Sequence, residues 1–195
     1  MAGTNRAERT EAELKAAARR LLTRKSYADI RITDITEEAG RAAGSFYRYF
    51  TDKDDLLRAL VADFESAVAS QVEARLGGPD HSLADREDVR KHVEAYWANY
   101  RAHHAEMSGL FQAAAVSDEF RAIHLRLREH QVDIWSAHLA ESNPALPDPR
   151  LAALGVICMF EYFCYELMHH GEPAPDDGAA IATLTDLLAR GVLRA

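Results

Sequence analysis

Cysteine is scarce. Cys158 and Cys164 are the only two in 195 residues and both sit inside an apolar run, so neither a disulfide framework nor a cysteine-based zinc site is indicated, and a reducing compartment fits. The first fifteen residues, MAGTNRAERTEAELK, are polar and charged throughout, so no ordinary secretory signal and a cytoplasmic location are expected. Long hydrophobic runs are missing save one. Leu151 to Met168 is apolar, but Glu161 and Glu166 interrupt it and it lacks the basic flanks of a membrane span, so it reads as a buried interface helix. Enzyme signatures are lacking as well: there is no nucleophile elbow, no glycine-rich phosphate loop and no catalytic Cys/His spacing. The nine histidines all follow residue 80 and include no His-x-x-x-His pair. Glu166 and His169 form one Glu-x-x-His element, where a di-iron helical bundle needs two, plus two further glutamates. No catalytic residue, metal ligand or cofactor is nominated.

Strand patterning is also rare, whereas apolar residues recur at spacings of three and four along most of the chain, which predicts an all-α fold of about nine helices. A first helix is expected over about Arg6 to Lys25, with Leu14, Ala17, Ala18, Leu21 and Leu22 on one stripe and its arginines on a solvated face. Two short helices, Thr33 to Ala39 and Ala43 to Tyr49, flank a Gly40-Arg41-Ala42 turn, and neither is long enough to stand alone. A longer helix follows from Lys53 to about Leu76, with Thr51 and Asp54 giving a capping-box-like start. Gly77-Gly78-Pro79 ends it, and Ser82 caps the next, which runs to His103. Further helices are expected at Met107 to Ala115, Ser117 to Ser142, from Asp148-Pro149 to about His170, and Ala179 to Leu193.

A net charge of -8 argues, taken alone, against a nucleic-acid partner. The charge is unevenly spread, however. Residues 1 to 60 hold 12 Lys/Arg against 10 Asp/Glu, and the remaining 135 hold 11 against 21. A DNA-reading head on an acidic body has this asymmetry.

The most specific segment is RITDITEEAGRAAGSFYRYFTDKDDLL, Arg31 to Leu57. Ile32, Ile35 and Ala39 turn one helix face inward, Gly40 permits a left-handed turn, and Phe46 and Phe50 anchor the second helix by its buried side. Ala43, Gly44, Ser45, Tyr47, Arg48 and Tyr49 are left outward: small residues let the backbone approach base edges, and hydroxyls and an arginine reach phosphates. Lys53 brings a charge and helix N-terminal N–H groups together. This segment resembles the helix-turn-helix of the TetR family of transcriptional regulators. The likeness covers roughly the first 60 residues, and beyond them extends only to length and helix count. It implies a DNA-binding set of Thr33, Arg41, Ala43, Gly44, Ser45, Tyr47, Arg48, Tyr49 and Lys53. Three residues depart from the family pattern. Arg31 stands where a capping threonine is common, Thr36 replaces a small apolar residue, and Arg41 stands where the turn usually buries a valine; Arg41 either swings outward to DNA or leaves the turn less well packed.

The resemblance further implies a helix-turn-helix domain over 1–52, an effector-binding and dimerisation domain over 53–195, and a homodimer formed by the last two long helices on a palindromic DNA operator. Leu154, Ile157, Cys158, Phe160, Tyr162 and Phe163 make the penultimate helix apolar around more than one face, as such a role requires. Trp97, Tyr100, Phe111, Trp135 and Phe160 are the candidate effector-binding residues; singly each reads as core, and pooled they suggest an aromatic-lined pocket for a small apolar effector. The expected function is a DNA-binding repressor released by that effector. The rivals are a ligand-independent activator of the same fold and a helical-bundle metal enzyme.

Overall fold

The computed structural model describes residues 2–76, 83, 85–169 and 176–192, and all regular structure among them is helical. The elements are α1 (Ala2–Leu22), a 3-10 turn (Tyr27–Asp29), α2 (Ile32–Glu38), α3 (Ala43–Phe46), α4 (Lys53–Leu76), α5 (Arg86–Ala102), α6 (His104–Ala114), α7 (Asp118–Ser142), α8 (Pro149–His169) and α9 (Asp177–Val192). The chain divides into two compact units. One comprises Met1–Ser66 with His103–Arg121, the other Ala67–Ala102 with Ala122–Ala195. Residues 53–66 and the whole of α6 thus group with the N-terminal helices, although the sequence reading assigns them to the second domain.

In the first unit the five predicted stripe residues of α1 are all buried, and Ile30, Ile35, Phe46, Phe50, Leu56, Leu57 and Leu60 complete the core. The arginines of α1 and of the turn after it lie on a largely exposed face, as expected, but several of them are paired. Arg20 and Arg24 both bind Glu38 of α2, at 2.6 and 2.9 Å, and Arg19 donates to the buried Glu106 of α6 at 2.5 Å. A chain with 19 arginines and nearby carboxylates uses these groups to tie elements 14 to 87 residues apart, a pairing that no local pattern announces. Gly109 lets α6 come close: a Cβ there would sit 3.1 Å from the side chain of Leu22 and 3.2 Å from that of Leu57.

Several helix starts differ from expectation by a residue or more. In α4 the box is made one residue later: Asp52 accepts the Asp55 N–H at 2.7 Å and Asp55 accepts the Thr51 N–H at 2.9 Å. Asp85 caps α5 by accepting from the N–H groups of Glu87 and Asp88, where Ser82 was expected. Ser82, the Gly77-Gly78-Pro79 stop and residues 171–175 lie outside the described residues. Asp148 and Pro149 open α8 as read, with the Leu151 N–H bonded to the Asp148 carboxylate at 2.9 Å.

In the second unit α5 packs on α8 and α9, and α8 on α9. Val89, Val93, Trp97, Ile157, Phe160, Cys164, Leu184 and Leu188 are buried there. α8 is long and apolar enough to cross a membrane by length and composition, yet it belongs to this packed unit. Its outward stripe, Leu151, Leu154, Cys158 and Tyr162, is exposed, as is Leu187 of α9.

Candidate nucleic-acid interface

The turn between α2 and α3 follows from one residue. Gly40 has φ +63°, which lets the Arg41 N–H bond the Thr36 carbonyl at 2.8 Å and the Gly40 N–H bond that of Glu37 at 3.0 Å. This pair of bonds is a Schellman closure, and it satisfies carbonyls that the end of a helix otherwise leaves unpaired. At the other end of α2, Arg31 cannot accept a hydrogen bond, so only half a capping box forms: its N–H donates to Asp34 at 3.0 Å. That bond, helped by Lys25, holds the Asp34 carboxyl below the usual range. Thr36 is buried and resolves its hydroxyl by donating to the Thr33 carbonyl at 3.1 Å.

α3 is shorter than the expected Ala43 to Tyr49. After Phe46 the chain tightens into i→i+3 bonding, with the Tyr49 N–H on the Phe46 carbonyl at 2.9 Å. The tightening brings Phe50 inward beside Phe46, ring centroids 5.6 Å apart, before Asp52 opens the next helix. Ala43, Gly44, Tyr47 and Arg48 are exposed and Ser45 and Tyr49 half-exposed. Tyr47 rests edge-on against Phe46 at 5.6 Å while staying 62 % exposed. A Cβ on Gly44 would meet nothing within 4 Å, so this surface is open to a close-approaching partner. Ser45 turns its hydroxyl back to the Ala42 carbonyl at 2.7 Å. The Arg48 guanidinium has no ion pair or hydrogen bond among the described residues.

Two members of the expected set are held inward. Arg41 neither swings to the open surface nor loosens the turn: its Nε donates to Glu13 of α1 at 2.8 Å. Lys53 donates to the Tyr27 carbonyl at 2.7 Å, and its ammonium lies 4.2 Å from the centre of the Tyr27 ring. Burial lowers its pKa from the ordinary lysine value, against the opposing pull of Asp54 and Asp29. Tyr27 lies 26 residues away in a segment without helical periodicity, so sequence reasoning missed this partner. Thr33 is exposed on α2.

Of the candidate effector residues, Phe111 sits on α6 in the first unit, whereas Trp97, Tyr100, Trp135 and Phe160 are buried in the second. Trp135 meets Phe160 edge-on at 5.6 Å, and Tyr96, not selected from sequence, joins the set through Phe160 at 4.6 Å and Tyr100 at 6.5 Å. Trp97 turns the other way. Its indole donates to Asp177 at 3.0 Å, and it lines an open cleft of about 550 Å³ with Arg101 and Ile181. Near the aromatic set, the buried Glu161 of α8 accepts from Arg128 of α7 at 2.7 and 2.9 Å, with His124 at 3.4 Å. Burial raises the Glu161 pKa, but the bonds from His124 and Arg128 outweigh it and leave the carboxyl below its usual range. Cys164 is not a reactive thiol, since burial pushes it up to about 12. The His169 side chain lies outside the described residues.

A Schellman-closed helix-turn-helix with an open small-residue and tyrosine face, followed by a larger helical unit, defines a DNA-binding regulator. Residues 14–60 match the family model for bacterial regulatory proteins, tetR family. Over 186 residues, spanning 91 % of this chain and 83 % of the relative, it is 25 % identical to the HTH-type transcriptional regulator EthR of Mycolicibacterium smegmatis. A transcriptional regulator from Saccharomonospora viridis solved in complex with choline shares the fold, with TM-score 0.77, 16 % identity, and 96 % and 100 % of the two chains covered. So does a TetR-like transcriptional regulator from Rhodococcus sp. RHA1, with TM-score 0.74, 21 % identity, and 93 % and 94 % covered. Residues 14–60 therefore carry the DNA-binding domain of bacterial regulatory proteins of the tetR family, and the chain as a whole has the fold of these solved regulators.

Proposed function

We propose that the chain is a cytoplasmic repressor whose residues 1–52 hold a palindromic operator as a homodimer, and whose residues 53–195 bind a small, largely apolar effector that releases it. The observation that carries this reading is the open Ala43–Tyr49 face, where small residues, two tyrosines and Arg48, exposed and without a partner among the described residues, meet the needs of base approach and phosphate binding together. Dimerisation is supported by the exposed apolar stripe of α8 and by Leu187 of α9, which a lone chain leaves in water.

The effector half is supported by the rings of Tyr96, Tyr100, Trp135 and Phe160 and by the buried Glu161–Arg128 pair near them. An apolar wall supplies affinity and one polar contact supplies orientation. An effector with an acidic end would compete with Glu161 for Arg128. The Saccharomonospora viridis neighbour binds choline, which is in keeping with a fold that accommodates small organic molecules. Release follows when the effector favours one of two states of the dimer, and a nearly complete shift requires about 5 kcal/mol of preference.

A thermal-shift screen of apolar carboxylic acids, followed by DNA titration with each hit, tests this reading. A true effector raises Tm and weakens DNA binding at least about tenfold, equivalent to about 1.4 kcal/mol, and Arg128→Gln blunts that response while leaving effector-free DNA binding intact. Hits that raise Tm without altering DNA affinity contradict it.

A further inference from the structure

Tyr27 joins α6 to the start of α4. Its backbone N–H donates to Gln112 Oε1 of α6 at 2.6 Å, its carbonyl takes Lys53 Nζ at 2.7 Å, its ring underlies the same ammonium, and its hydroxyl bonds the Asp54 carboxylate. Phe120 of α7 closes on the ring edge at 6.3 Å. Every polar group of Tyr27 is therefore committed, and the residue is 8 % exposed. Lys53 stands at the first position of α4, four residues beyond Tyr49, so its ammonium belongs with the DNA-facing surface by sequence but spends a donor and a ring face on Tyr27.

We propose that Gln112 and Tyr27 are positioning residues for DNA binding: α6, through Gln112, fixes the Tyr27 backbone, and Tyr27 keeps Lys53 off the phosphate chain until that hold is broken. The inference rests on reading the Ala43–Tyr49 face as the DNA surface. Gln112 is the control point, because its oxygen is the acceptor that keeps the Tyr27 N–H satisfied in a part-buried place. When α6 withdraws, the Tyr27 segment loses that bond, and the lysine exchanges a carbonyl and a ring for a phosphate. Lys53 is then a conditional contact, unlike Arg48, which is available throughout.

The test is a cycle of salt titrations of the full chain on a duplex that the wild-type protein selects from a randomised pool. Each phosphate contact contributes about one unit to the slope of log K against log salt. Lys53→Ala should leave the wild-type slope unchanged, Gln112→Leu should raise it by about two units, one for each subunit of the dimer, and adding Lys53→Ala to Gln112→Leu should bring it back. Gln112→Glu, which keeps an acceptor, should retain the wild-type slope. A fall of about two units on Lys53→Ala in both backgrounds, or no change with Gln112→Leu, overturns the proposal. Should Gln112→Leu not fold, trace acetylation of the wild-type protein decides instead: Lys53 labelling far more slowly than Lys25 and Lys91, with or without DNA, supports the latch. Equal labelling, or protection that arises only on DNA, overturns it. Arg48→Ala separates the two readings. If it lowers the slope while Lys53 behaves alike in both backgrounds, the DNA surface stands and the latch falls; if it too has no effect, the surface reading itself fails.

Discussion

Gly40 is the residue on which the motif's geometry turns. Its backbone lies at φ +63°, and no neighbour stands within 4 Å of where a Cβ would be, so a side chain there would suffer from conformation and not from crowding. Gly40→Ala should therefore cost about 1–2 kcal/mol, read as a lower urea midpoint at unchanged m value. This position was legible because a glycine between two short apolar-patterned helices has few other uses. Arg41, one residue on, was legible only as a departure, since Glu13 lies 28 residues earlier and on another helix. Glu161 shows the same limit: its partner Arg128 is 33 residues away, and only folding brings them together. Its carboxyl is held below the ordinary value, so the folded state binds fewer protons than the unfolded state as pH drops. The stabilisation is full above about pH 4.3, the ordinary glutamate value, and is lost as pH falls through the lower folded value. Glu161→Gln should cost about 2 kcal/mol at neutral pH and flatten the acid side of the stability profile, measured by urea unfolding between pH 3 and 7. An unchanged acid limb would mean that Glu161 is not the group responsible.

At the scale of elements, periodicity located every long helix, because each buries a stripe whose spacing survives in the sequence. Ends were less legible. The start of α5 moved to Asp85 because a carboxylate there reaches two free N–H groups, and α3 ends at Phe46 because Phe50 must also reach the core. α8 is instructive for a different reason. Its composition marked it as two-faced, but composition does not say which residue faces which way. Ile157 is buried within its own unit, so Ile157→Glu should unfold the chain and not report on assembly. Leu154 and Tyr162 are 39 % and 58 % exposed on the outward stripe. Leu154→Glu or Tyr162→Glu should leave the helical circular-dichroism signal intact and shift the sedimentation profile to monomer, since an unpaired carboxylate buried in an interface costs about 3–5 kcal/mol. Dimers that persist in both variants would place the interface on another face.

For the whole molecule, the charge balance of the sequence anticipates a DNA-reading end more faithfully than the net charge does. Yet most basic groups of that end are engaged: Arg19, Arg20, Arg24 and Arg41 bind carboxylates of the same unit, and Lys53 binds Tyr27. The guanidinium of Arg48, without a partner among the described residues, and the tyrosine hydroxyls beside it stand on this surface, so affinity should depend on few phosphate contacts per subunit and on the doubling that a dimer provides. The most direct measurement of the central claim is selection of duplexes from a randomised pool by the full chain, followed by titration of Tyr47→Ala and Arg48→Ala on the recovered sequence. The account predicts a palindromic consensus with half-sites separated by about one turn of the double helix or a multiple of it, and binding weakened about tenfold or more by each variant, equivalent to about 1.4 kcal/mol. A pool that yields no shared sequence, or a consensus bound equally well by both variants, would contradict it.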